Sequence, residues 1–145
     1  MKKYILIIAL LNQSYFLSQN NELSDIDMVS KKMIEQENSW NNGDIPGFMK
    51  HYWSSDSLTF VGKSGLNKGW KKTLENYLSS YDNKDKMGTL LFNNLSLNKI
   101  DINTIHVIGS WTLKRNDELG DLNGYYSLIW QKKKGQWVII ADHSS

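Results

Sequence analysis

The hydrophobic pattern of this chain changes period once, near Asp82, and does not change back. Before that point apolar residues recur at helical spacing; after it they alternate, as one face of a strand does. Helices first and a run of four strands afterwards predict an α+β fold, an antiparallel sheet with about three helices packed on one face. The strands are expected at about 88–99, 104–115, 123–133 and 136–143, separated by Asn-, Asp- and Gly-rich turns.

In the helical half, Ser24 reads as an N-cap, with Asp25 and Asp27 in the first turn, where carboxylates meet the positive end of a helix. Ile26, Val29, Met33 and Trp40 recur near helical spacing, and Gly43 can end the helix in a left-handed conformation. Asp44 is a second N-cap. Pro46, the only proline, sits in the next first turn, where its missing N–H costs nothing. Ile45, Phe48, Met49 and Tyr52 give that short helix its buried face. Residues 57–62 read as a strand with Leu58 and Phe60 on one side, and Gly62, Gly65 and Gly69 punctuate a turn region. Trp70, Leu74, Tyr77, Leu78 and Tyr81 form the cleanest helical stripe.

Composition narrows the function classes. The 145 residues suit one domain. The 17 basic residues nearly balance 15 acidic ones, and their one run, Lys132 to Lys134, precedes Gly135 and reads as a solvated turn. Nucleic-acid binding therefore has no electrostatic footprint. With no cysteine in the sequence, disulfides, thiolate nucleophiles, cysteine-ligated metals and a cysteine-linked lipid anchor are excluded. His51, His106 and His143 show no metal-ligand spacing, and no metal or cofactor is expected. Lys2 and Lys3 followed by the apolar run Tyr4 to Leu11 read as a signal peptide over residues 1–19, leaving a mature domain at 20–145. The run is too short to span a bilayer, which takes roughly 20 residues. A periplasmic or secreted location, with no membrane association after processing, is the expectation.

The order Trp40-Asn-Asn-Gly-Asp44, Phe48, Tyr52, Phe60-Val-Gly62, Gly69-Trp70 and the closing segment from Gly135 to Ser145 resembles the nuclear transport factor 2-like superfamily. The likeness is nearest to its SnoaL-like or ketosteroid-isomerase-like branch of small bacterial domains of unknown function. The resemblance covers about residues 24–145. It implies a cone-shaped curved antiparallel sheet with the helices on its concave face, a pocket at the wide end, and a homodimer through the outer sheet face. Fold alone names no chemistry here. The steroid isomerases of the superfamily carry a first-helix tyrosine and a general-base aspartate. These fall near Gln36 and Val61–Gly62, and neither can do the work of the missing group, so that mechanism is disfavoured.

Tyr52, Phe60, Trp70, Tyr81, Trp111 and Tyr126 belong to an aromatic excess of six Trp and seven Tyr, which suggests a pocket for a small organic ligand as well as a core. Arg115 shares a strand face with Trp111 and Leu113 by alternation, so its guanidinium could hold a carboxylate at the pocket rim. The acidic loop Asp117, Glu118, Asp121 lacks calcium-loop spacing. Asp142 and His143 are the sharpest local feature. Alternation puts them on opposite faces and groups His143 with Trp137, Ile139 and Ala141. If that face is the concave one, His143 lines the pocket as a catalytic acid or base; the alternative is a structural histidine at the sheet's end. Three readings follow: an exported small-molecule-binding protein; a pocket enzyme using His143, helped by Arg115 or Tyr126, for proton transfer or hydrolysis; and a dimeric interaction module.

Overall fold

The computed structural model describes residues 25–145. The expected leader over 1–19, the polar segment behind it and the Ser24 cap lie outside the described residues. Helix α1 occupies residues 25–41. Its buried side chains, Asp25, Val29, Met33, Gln36 and Trp40, step by four or three and form one stripe. Gly43, at φ +79°, turns the chain with a conformation that side-chain-bearing residues rarely adopt. Asp44 then caps α2 (Ile45–Met49), accepting a 2.8 Å hydrogen bond from the Gly47 N–H, with Pro46 in the first turn.

The chain next runs alongside the last strand. Ile139 N–H donates to the His51 carbonyl, and Trp53 N–H donates to the Ile139 carbonyl, both at 2.9 Å. A hairpin of β1 (Thr59–Gly62) and β2 (Gly65–Lys68) leads into α3 (Trp70–Ser80) and the single turn α4 (Lys84–Met87). The meander follows: β3 (Thr89–Asp101), β4 (Thr104–Lys114), β5 (Leu122–Lys133) and β6 (Gln136–Ser144). Two elements, β2 and α4, stand where the sequence shows only turn-like composition.

The six strands form one sheet in the order β2-β1-β6-β5-β4-β3. All neighbours are antiparallel except β1, which the helical half delivers parallel to β6. The long strands carry register shifts between Asn94 and Ser96, between Lys99 and Asp101, and on β6 opposite Ile129 and Trp130. Each such bulge inserts a residue and bends its strand, so the sheet curves around the helices. The enclosed face carries Ile105, Val107, Leu128, Trp130, Trp137 and Ile139, packed against Val29, Met33, Met49 and Leu58. Truncating the fully buried Trp130 to alanine would cost about 3–5 kcal/mol. Among the described residues no helix is long and apolar enough to cross a membrane.

The core stops short of one end of the sheet. There the aromatic rings contact one another by edge and face: Trp40 meets Phe48 at 5.3 Å and Tyr81 at 4.9 Å between centroids, and its Nε1 donates to the Met87 carbonyl at 3.1 Å. Trp40 is thereby fixed as the base on which α1, α2, α3 and α4 meet, and the space beyond it is left open.

Candidate functional site

That space is a cavity of about 890 Å³, within the few hundred to about 1,000 Å³ usual for small-molecule sites. Its helical wall carries Trp40, Phe48, Tyr52, Tyr77 and Tyr81, and its sheet wall carries Phe60, Phe92, Trp111 and Tyr126. Polar atoms come from Gln36, Asn67, Thr73, Asn76, Asn123 and Ser144, and the buried charge from Asp142. Tyr77 contacts Phe48 at 5.4 Å, Phe60 at 5.8 Å and Trp40 at 5.9 Å, which links the two walls. Tyr126 can lie flat across its neighbouring strand because position 109 is glycine: a methyl there would collide with the Tyr126 hydroxyl. That hydroxyl donates to Asn94 Oδ1 at 2.7 Å.

Asp142 sits in this cavity because of a single unpaired residue. Trp130 pairs with Ile139 and Ile129 with Ala141, leaving Ile140 bulged out of the ladder. Trp137 and Ile139 face inward before the bulge; Asp142 and Ser144 line the cavity after it. Strict alternation would have put Ala141 and His143 inside. The bulge reverses the parity, and a β-bulge re-aiming a side chain beside a site is a known use of the device. The sequence expectation for His143 is therefore corrected: it is exposed on the outer face, opposite Ser127, and does not line the cavity.

Both Asp142 oxygens are held. Tyr52 donates its hydroxyl to Oδ2 and Ser144 donates to Oδ1, each at 2.6 Å. Burial pushes the Asp142 carboxyl up to about 6, against the opposing effects of the Ser144 and Tyr52 hydrogen bonds and of nearby His143. The same burial, reinforced by the Asp142 charge, holds the hydroxyls of Tyr52 and Tyr77 well above the usual phenol range. Tyr126 is also raised, by burial and then by the charges of Glu37 and Asp142. Around Asp142 the cavity thus holds one carboxylate poised near neutral pH and phenols that stay protonated.

Of the other residues singled out in the sequence, Tyr52, Phe60, Tyr81, Trp111 and Tyr126 line the cavity. Trp70 does not; its Nε1 donates to the Met49 carbonyl at 2.9 Å and ties α3 to α2. Arg115 does not either. Its Nε donates to the Gly120 carbonyl at 2.7 Å and a terminal nitrogen to the Leu119 carbonyl at 3.0 Å, closing the β4–β5 turn. A hairpin loop rich in carbonyls competes successfully with a rim position for that guanidinium. Gln36 is buried and donates to the Phe48 carbonyl at 3.3 Å. The three histidines lie apart: His51 is buried beside Glu35, with its imidazole lowered to about 4 by burial and then by Lys32, against the raising effect of Glu35. His106 bonds Ser127 at 2.8 Å on the outer face.

No family model and no curated protein matches the chain. Solved structures do. A protein of unknown function from Shewanella oneidensis, described as nuclear transport factor 2-like, is 30% identical, with a TM-score of 0.79 over 83% of this chain and 98% of its own. A nuclear transport factor 2-like protein of unknown function from Pseudomonas putida is 15% identical, with a TM-score of 0.70 over 85% and 87% of the two chains. A ketosteroid isomerase-like protein from Erwinia carotovora atroseptica is 17% identical, with a TM-score of 0.64 over 82% and 93%. The curved mixed sheet, the helices on its enclosed face and the open end define the cone-shaped class of fold that these proteins share. The chain belongs to the nuclear transport factor 2-like superfamily.

Proposed function

We propose that this is an exported protein that binds a small, amphipathic organic molecule in the aromatic cavity, with the ligand's polar group at Asp142 and Tyr52. The observation that carries the reading is the combination of about 890 Å³ of space with a carboxylate that lines it at its buried end. A cavity kept only for packing would be filled, since interiors are close-packed. Export rests on the basic and apolar start of the sequence and is checked by the mass of the protein recovered from its own host. Binding is tested with the neutral fluorophore N-phenyl-1-naphthylamine. Saturable emission enhancement is expected, and it should be lost in Asn76→Trp, which adds an indole to the cavity lining. Emission that never saturates, or that Asn76→Trp leaves unchanged, would remove the cavity as the site.

An enzyme of the same cavity is a second reading, favoured by one observation: a carboxylate held at about 6 with a phenol 2.6 Å away is in the range of a general acid or base. It takes the place of the reading built on His143. Its signature would be a kcat/KM profile following one group near 6 and abolished by Asp142→Asn. A homodimer through the outer sheet face is supported by the exposure of Leu91 and Tyr125 there, although Ser110, Thr112 and Ser127 interrupt the apolar surface. Light scattering during gel filtration distinguishes one copy from two.

A further inference from the structure

Among the described residues, the cavity lining holds a buried charge that no cation contacts. Asp142 is 4% exposed, and among the described residues its oxygens are met by hydroxyls alone, those of Tyr52 and Ser144. Hydroxyl donors disperse a negative charge but do not cancel it, and a carboxylate taken out of water without a cation is costly. The groups that face it from the surrounding elements are phenols: Tyr52 ahead of β1, Tyr77 on α3 and Tyr126 on β5. His143 acts on it only from the opposite face of β6. Lys63 stands exposed in the β1–β2 turn at the cavity's opening, and Glu37 is engaged with the Phe92 N–H at 2.6 Å.

The second observation is the arrangement of the rings. Tyr77 meets Phe60 at 83° and Phe48 at 67°, with centroids 5.8 and 5.4 Å apart, so rings set at steep angles to one another line the same volume. An aromatic face carries the negative part of the ring quadrupole. Cations are attracted to such faces, most strongly where water is excluded. Cage and carboxylate therefore select the same sign of charge, and both reject an anion.

We infer that the occupant of this cavity is an organic ammonium cation with a flat or apolar body, its charge seated against Asp142 and its body along the rings of α3 and the sheet wall. The inference rests on the cavity being a ligand site, as proposed above. A carboxylate accepts about four hydrogen bonds, so two remain for N–H donors of a primary or secondary ammonium, while a quaternary head, with no N–H to donate, would meet the carboxylate through its charge. Bound cation would favour the ionised carboxylate. Affinity for the cation should consequently fall as pH is lowered through about 6, the value to which burial lifts Asp142. A neutral ligand would show no such dependence.

The test uses the full chain and two molecules of nearly equal shape, benzyltrimethylammonium and its neutral carbon isostere neopentylbenzene, each displacing N-phenyl-1-naphthylamine. At pH 7.5 the cation is expected to bind at least about tenfold tighter than the isostere, the scale of a desolvated cation–π contact. Asp142→Asn should erase that preference, and the circular dichroism spectrum and melting temperature of the variant show that it is folded. Lowering the pH to 5 should weaken the cation alone. Equal or tighter binding of the isostere, or a cation preference that survives Asp142→Asn, overturns the inference and leaves the cavity a site for neutral molecules. Failure of the fluorophore and both probes to bind overturns the cavity reading itself.

Discussion

Two buried aspartates, at opposite ends of the described residues, are treated in opposite ways. Asp25 opens α1, 6% exposed, and accepts from Lys132 Nζ at 2.8 Å and Trp137 Nε1 at 3.1 Å, with Lys99 Nζ a further 3.1 Å neighbour. Asp142 is 4% exposed and, among the described residues, receives two hydroxyls and no cation. Burial raises both carboxyls. At Asp25 the hydrogen bonds from Lys132, Lys99 and Trp137 outweigh burial and hold the group below its ordinary value; at Asp142 burial prevails. The first arrangement pins α1 onto β3, β5 and β6. The second weakens the protein at neutral pH, as expected of a group kept for the binding or chemistry proposed above.

Breaking the paired site should have the largest effect. Asp25→Ala leaves two lysines and an indole N–H without their partner, and a loss of about 3 kcal/mol is expected in urea unfolding at pH 7.5. A loss under about 1 kcal/mol would mean that the ion pairs are solvent-screened and that Asp25 does little to hold α1 in place. Breaking the unpaired site should do the reverse. Asp142→Asn keeps the shape and removes the charge, so a gain of about 2 kcal/mol is expected at pH 7.5. The native carboxyl titrates near 6, above its ordinary 3.8, so the folded state binds the proton more tightly. Its contribution is therefore most favourable below about 4, declines as pH rises from about 4 to about 6, and is level above that. Asp25 runs the other way: its stabilisation is present above 3.8 and is lost as pH falls through its lowered native value. The gain from Asp142→Asn should thus vanish in a melting series carried down to pH 4.

Smaller effects sharpen the picture. Tyr52→Phe removes one hydrogen bond to an ionised group and should cost about 1.5 kcal/mol at pH 7.5, while moving the Asp142 midpoint further up. A midpoint that stays in place would show that Tyr52 is not what holds the carboxylate. His143→Ala, on the outer face, should alter stability by less than about 0.5 kcal/mol and leave fluorophore binding unchanged. A clear loss of binding in His143→Ala would return the histidine to the site.

The fold was legible to the degree that local pattern determines it. The stripe from Trp70, the Asp44 cap with Pro46 behind it and the four late strands all carry their own signals, because period and capping are properties of neighbours in sequence. Strand β2 and helix α4 are four residues each, too short for a period to show. The parallel pairing of β1 with β6 joins residues some eighty positions apart in the chain, which no local pattern encodes. In the site, aromatic side chains were readable as a collective excess, and most of them reach the cavity. Asp142 was not, and His143 took its place, because the bulge at Ile140 has no residue signature: Val138, Ile139, Ile140 and Ala141 read as an ordinary buried strand. Trp70 and Arg115 went astray for a different reason. Each found a backbone carbonyl nearby, and neither side chain lines the cavity.

The contrast between the two aspartates is tested most directly by following side-chain carboxyl carbons by NMR as the full chain is titrated with acid. The expected result is a midpoint near 6 for Asp142 and one below 3.8 for Asp25 in the same sample, with the Asp142 midpoint moving down when benzyltrimethylammonium is added. An Asp142 midpoint at or below 3.8 would mean that the carboxylate is solvated or already paired with a cation, and would contradict the account.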